Sequence, residues 1–213
     1  MSGHAVTVLD YGIGNLLNML RALEHCGAAV RVVQQASAEA LAAERLVLPG
    51  VGAFGDGMRE LRERGFDDLV RRYADTGRPF LGVCVGLQMM FDAGEEMGEH
   101  QGLGLLRGRV KSVPPTDTQG RPHRIPHIGW RPLQPASAWP ETIFRDVAPG
   151  ERAYFVHSFA AVPDDPAVRL ADVDYGGHAI CAAVHADNLY GCQFHPERSA
   201  HAGLAILQRF LAS

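Results

Sequence analysis

Apolar positions along the first half of the chain switch between two periods. Ala5 to Leu9, Val30 to Val33, Leu46 to Leu48 and Phe80 to Val83 are short apolar runs, the third stopping at Pro49-Gly50. Short runs bounded by turn residues are the mark of buried strands. Between them the spacing lengthens to that of helices. Leu16, Leu20 and Leu23 recur on one face and end at Gly27, a natural C-cap. Ser37 is placed to cap a short helix running to Ala43. Met58, Leu61, Leu69 and Tyr73 mark one face of a single long helix, and a further helix is predicted from about Gly86 to Ala93. Strands alternating with helices at this pace predict a parallel, doubly wound sheet flanked by helices.

The second half has a different rhythm. Pro114 to Pro126 is rich in Pro, Thr, Asp and Arg and reads as a surface loop. Tyr154 to Ala161, Val168 to Val173, Ala179 to His185 and Leu189 to Phe194 read as short strands. Gly176-Gly177 between two of them is a hairpin signal. Leu204, Leu207 and Leu211 carry a closing helix. There is no internal repeat. The expected organisation is one α/β domain over residues 1–213, its sheet mostly parallel, with antiparallel strands added in the C-terminal half.

Charge and composition then exclude several functions. Twenty Lys and Arg against 24 Asp and Glu leave a net charge of −4, which suits no nucleic-acid backbone. Hydrophobic residues at 46% and charged residues at 21% are enough for a packed core. The apolar runs fall short of the roughly 18 residues that would span a membrane. The N-terminus lacks the basic and apolar regions of a secretory signal. Cys26, Cys84, Cys181 and Cys192 show no Cys-x-x-Cys spacing, so no metal site is expected and the thiols are expected reduced, in a cytoplasmic protein.

A reduced thiol is a potential nucleophile, and Gly82-Val83-Cys84-Val85-Gly86 is the sharpest local signal in the chain. A strand enters it and a helix leaves it. Glycines on both sides permit a strained turn that presents the central side chain, as in a nucleophile elbow. The helix N-terminus favours the thiolate, and the Val85 N–H is a candidate oxyanion donor. Taken alone, the same residues also read as a buried cysteine at a glycine-flanked strand end. A thiolate needs a base. In Gln193-Phe194-His195-Pro196-Glu197, an extended chain would put His195 and Glu197 on one side, so that Glu197 fixes the imidazole. Alone, His-Pro-Glu also reads as a surface turn. Leu48-Pro49-Gly50-Val51-Gly52 ends a strand beside the elbow, where open α/β sheets bind ligands, or is a plain glycine-rich turn. Gly12-Ile13-Gly14-Asn15-Leu16-Leu17 is not a dinucleotide fingerprint, because Leu17 stands where a small residue belongs. His123 and His127 flank Pro126 and make no helical metal pair, and His157 reads by default as a satisfied core histidine.

These pieces together resemble the class I, triad-type glutamine amidotransferases. The elbow Gly82 to Gln88 and the distant His195-Pro196-Glu197 carry that resemblance. Asp10 to Asn15, Leu48 to Phe54, Pro126 to Trp130, Tyr154 to Phe159 and Gln193 to Glu197 narrow it to the glutaminase subunits of imidazole glycerol phosphate synthases, of histidine biosynthesis. The match runs from about Val6 to Leu211. The resemblance implies glutamine as substrate, no cofactor, and a (β/α)8-barrel synthase subunit as heterodimer partner that receives the ammonia. It implies Cys84, His195 and Glu197 as the triad, and an oxyanion hole from Val51, Gly52 and Val85. Gly50, Gln88, Glu96, His157, Ser158 and Phe159 would form the glutamine site, with Glu96 the mate of the substrate ammonium. Arg131 and Arg198 depart from the Asn and Lys usual in that family, and Thr116 to Arg124 is longer than the family needs. The competing readings are another triad amidotransferase, a non-catalytic module on the same fold, and a cysteine peptidase of similar fold.

Overall fold

The computed structural model describes residues 4–13 and 16–213, so Gly14 and Asn15 of the Asp10–Asn15 motif lie outside the described residues. Five strands run parallel: β1 (His4–Leu9), β2 (Ala28–Val33), β3 (Leu46–Gly50), β4 (Phe80–Cys84) and β13 (Leu189–Cys192). Their order is β2-β1-β3-β4-β13. Every residue of β3 and β4 is buried, as expected of parallel strands covered on both faces. On one side α1 (Leu16–His25) packs with α6 (Ala200–Ala212). A separate group joins α2 (Ala38–Leu41), α3 (Phe54–Glu63), α4 (Phe66–Ala74) and α5 (Val85–Met89). Two helical layers are what right-handed crossovers produce when strand order reverses at the first strand. None of these helices is long and apolar enough to cross a membrane.

The sheet continues beyond β13 with antiparallel strands. These are β12 (His178–Ala186), β11 (Arg169–Tyr175), β8 (His127–Pro135) and β9 (Arg152–His157), in that order. The β11–β12 hairpin turns at Gly176-Gly177, with both φ angles positive (65° and 83°) and Tyr175 opposite His178. That is the backbone a two-residue primed turn requires. A second sheet, in the order β10-β7-β5-β6, joins β5 (Phe91–Gly94), β6 (His100–Gln101), β7 (Leu106–Ser112) and β10 (Phe159–Pro163).

Three expectations about elements need correction. The single long helix is two, α3 and α4, because Gly65 takes a left-handed φ of 69° between them. The helix expected to reach Ala93 stops at Met89, and Phe91 begins β5, which pairs with β7 across Phe91 and Leu106. The apolar run Tyr154 to Ala161 is two strands in two sheets. It breaks at Ser158, whose carbonyl accepts the Val113 N–H.

Candidate active site

Parallel pairing brings the carboxyl ends of β3, β4 and β13 together. The register sets Gly50 beside Cys84 and Val83 beside Cys192. Val51-Gly52, Cys84 and His195 therefore leave one edge of the sheet side by side. Cys84 has φ 55° and ψ −111°, a conformation costly for a side chain-bearing residue, at about 1–3 kcal/mol. The surrounding glycines explain how it is held. A Cβ on Gly86 would lie 1.9 Å from the Leu48 carbonyl oxygen. One on Gly82 would lie 2.9 Å from the Gly86 carbonyl carbon, and one on Gly50 would lie 2.6 Å from the Gly86 nitrogen. The first turn of α5 thus rests directly on the backbones of β3 and β4.

His195 is buried, and its Nδ1 lies 2.8 Å from Glu197 Oε1. The two do not meet by strand alternation. Pro196–Arg198 is a 3-10 turn that His195 caps, and this turn swings the carboxylate back to the ring. Burial acts to lower the His195 pKa, but hydrogen bonding to Cys84 and Glu197, and their charges, outweigh it and push the pKa up to about 10. The backbone of this segment is fastened to β9. The His195 N–H donates to Tyr154 O at 3.0 Å. Ser199 Oγ donates to His195 O at 2.7 Å and accepts the Tyr154 N–H at 2.9 Å.

A cavity of about 240 Å³ opens at this edge, a volume suited to a small metabolite rather than a drug-sized ligand. Val51, Gly52, Cys84, Val85, Gln88, Glu96, His157, Ser158, Phe159 and His195 line it, as do Pro126 and Val156, which sequence reasoning had not assigned to the site. Gly50 and Glu197 lie outside that lining and flank a crevice behind it with Val51 and His195. Glu96 is partly committed, since its Oε2 accepts the Phe54 N–H at the start of α3 (2.8 Å). His157 has both ring nitrogens engaged, at 3.0 Å with His127 Nδ1 and 2.8 Å with Phe159 O, so it offers the cavity a wall rather than a hydrogen bond. Burial pushes the His157 pKa down to about 4, against the pull of the Phe159 carbonyl, and the ring is neutral.

Sequence reasoning missed one residue in contact with the thiol. Gln193 is fully buried and its Nε2 donates to Cys84 Sγ at 3.8 Å. Its position within the Gln193–Glu197 motif was the available signal. The two arginines noted above lie over aromatic rings: Arg198 over Tyr154 (4.4 Å to the centroid) and Arg131 over Tyr175 (5.5 Å). The segment Thr116 to Arg124 is anchored on the β11–β12 hairpin. Thr118 donates its N–H to Gly176 O, and the Tyr175 hydroxyl donates to Arg124 O. Among the described residues no group of His, Cys, Asp and Glu is arranged to hold a metal ion.

The glutamine amidotransferase class-I family model matches residues 7–213. The chain belongs to the class-I glutamine amidotransferase family. Within the family it is 48% identical to the imidazole glycerol phosphate synthase subunit HisH 1 of Legionella pneumophila (strain Lens), over 97% of this chain and 98% of that protein. It is 44% identical to the HisH subunit of Syntrophotalea carbinolica, over 96% and 98%. Identity of this extent puts it with the HisH members of the family. A solved structure, that of PurLQS from Thermotoga maritima, superposes with a TM-score of 0.75 at 22% identity, covering 99% of this chain and 98% of that one, and shares the fold.

Proposed function

We propose that this chain is the glutaminase subunit of an imidazole glycerol phosphate synthase in histidine biosynthesis, working through a Cys84-His195-Glu197 triad. It passes ammonia to a (β/α)8-barrel synthase subunit. There the ammonia reacts with a phosphoribulosyl-formimino carboxamide nucleotide to give imidazole glycerol phosphate and the aminoimidazole carboxamide nucleotide. The observation that carries the reading is His195, held on one nitrogen by Glu197 and raised in pKa by the adjoining Cys84, at the mouth of a small cavity. The Cys84 thiolate attacks the side-chain amide carbon of glutamine. The carbonyl oxygen becomes an oxyanion facing the Val85 N–H and a backbone N–H of Val51-Gly52. The His195 imidazolium protonates the departing nitrogen and ammonia leaves, with Cys84 held as a thioester. Neutral His195 then takes a proton from water, hydroxide adds to the thioester, and glutamate departs as the thiolate and imidazolium are restored.

Val51 is the proposed point of control. It sits between Gly50 and Gly52, and Gly52 holds φ at 87°. A peptide flanked by glycines has more than one orientation open to it, and only one turns an N–H into the cavity. Loss of one oxyanion donor costs about 10²–10³ in rate, so docking of the synthase and its nucleotide would act by shifting a backbone population. Glutamate production should be slow for the chain alone, faster with synthase, and fastest with synthase and nucleotide. Full activity in the isolated chain would remove the switch. Cys84→Ala should abolish glutamine-dependent synthesis and spare ammonia-dependent synthesis. Equal loss of both in an intact complex counts against the division of labour.

A further inference from the structure

Behind the nucleophile lies a ladder of buried amides that the reaction scheme above leaves unused. Gln88 Nε2 carries two hydrogens and both are placed, one on Phe159 O at 2.9 Å and one on Gln193 Oε1 at 3.0 Å. With its oxygen occupied, the Gln193 amide has one orientation, and its Nε2 must point the other way, at Cys84 Sγ. The Gln193 backbone is fixed too, its N–H donating to Ala182 O at 2.9 Å. Both side chains are buried, so water does not compete for these bonds.

We infer that Gln193 is a further catalytic residue, an amide donor that stabilises the Cys84 thiolate, with Gln88 as the positioning residue that fixes its orientation. The inference rests on the glutaminase reading for its place in the reaction, but the contact stands apart from that reading. A thiol sulfur is a weak acceptor and a thiolate a strong one, so an aimed N–H favours the ionised form. Its benefit is greatest where negative charge sits on sulfur, in the resting thiolate and as the thioester breaks, and least in the uncharged thioester between them. Gln88 also lines the cavity and keeps its Oε1 free of these bonds. A substrate group bound there would therefore touch the same ladder that ends on the sulfur.

The test is the pH profile of Cys84 alkylation by iodoacetamide in the isolated chain, followed by peptide mapping. Peptide mapping separates the buried Cys84 from the other thiols, Cys181 and Cys192, which are also buried, and half-buried Cys26, all three of them pushed up by burial. Gln193→Met keeps the length and removes the donor, and should raise the midpoint by about one pH unit, a tenfold change in the ionisation constant. Because nucleophilicity recovers part of a lost thiolate fraction, the midpoint and not the rate at one pH is the readout. Gln88→Met, which frees the Gln193 amide to rotate, should shift the midpoint the same way by less. It also serves if Gln193→Met does not fold. With synthase and nucleotide present, Gln193→Met should lower kcat for glutamine about tenfold with little change in KM. An unmoved or lowered midpoint in a folded variant overturns the inference and leaves Gln193 as packing. A raised midpoint in a chain whose wild type never hydrolyses glutamine keeps the contact and discards the glutaminase reading.

Discussion

His127 Nδ1 stands 3.0 Å from His157 Nε2, and the opposite nitrogen of His157 is 2.8 Å from a carbonyl oxygen, that of Phe159. A carbonyl only accepts, so His157 carries a proton on Nδ1. Burial keeps both rings neutral, so the His157 Nε2 is bare and accepts from the His127 Nδ1–H. The second nitrogen of His127 is then an acceptor, buried without a partner among the described residues. Burial first, then the charges of His157, Arg131 and His123, push His127 down to about 3, while burial takes His157 to about 4.

The sign of the pH effect follows. Below the ordinary histidine pKa of about 6.5 the unfolded chain binds protons that the folded chain refuses. Stability should be fully present above about pH 6.5 and fall as the pH drops toward 4 and then 3. Each ring contributes a slope of about 1.4 kcal/mol per pH unit in that window. Urea unfolding at a series of pH values is the measurement, and stability that stays level from pH 7 to pH 5 would contradict the neutral pair.

His195 should behave in the opposite sense. Its folded pKa is raised, so its contribution is complete below about pH 6.5 and is lost as the pH climbs toward 10. Glu197→Gln removes one of the charges that hold the proton. We expect the His195 imidazole resonances, followed by NMR, to titrate at least one unit lower in that variant. An unchanged midpoint would mean that the carboxylate orients the ring without charging it.

Gly86→Ala should destabilise the chain by about 3 kcal/mol or more, since its methyl would land 1.9 Å from the Leu48 carbonyl oxygen and backbone cannot step aside. Gly27→Ala is the contrast. None of the described residues lies within 4 Å of its added carbon, but φ is 88°, so the cost is conformational, about 1–2 kcal/mol. Denaturant midpoints of the two variants should rank in that order.

Tyr11→Phe runs against the usual trend. The Tyr11 hydroxyl, near Gly50 and the first turn of α5, is buried without a hydrogen-bond partner among the described residues, and burial, with the Cys84 charge, pushes the phenol pKa up. Deleting an unsatisfied buried hydroxyl removes a desolvation penalty of about 1–3 kcal/mol. The melting temperature should stay level or rise. A clear fall would reveal a partner for the hydroxyl.

The parts of this molecule that were legible in the sequence are those whose causes are local. Gly82 and Gly86 announce the elbow because close backbone approach demands glycine at those positions, and Gly176-Gly177 announces its hairpin for the same kind of reason. Leu46 to Leu48 announces β3 because a fully buried strand has no polar face to show. The misread parts depend on partners far along the chain. Strand β8 contains Pro132 and Pro135 and takes its pairing from β9 and β11, so its own residues argue against it. Nothing within Tyr154 to Ala161 tells that its two halves belong to different sheets; Ser158 divides them because β8 claims one and β7 the other. The Gln193–Glu197 motif pointed to Gln193, but not to its role, since that role exists only once Gln88, 105 residues away, fixes its amide.

The fastening of His195 to Tyr154 has a consequence for solubility. In the order of the large sheet β9 is the last strand, with β8 on one side only, and such a rim normally offers bare peptide groups to any passing strand. Here the segment that follows β13, from the middle of the sheet, supplies the cover. It occupies both main-chain groups of Tyr154, through the His195 N–H and Ser199 Oγ. His195 therefore sits on the seam between that segment and β9. A change that pulls His195 out of register would also unzip the seam and bare a sticky edge, so damage at this position should show itself as aggregation as well as lost chemistry.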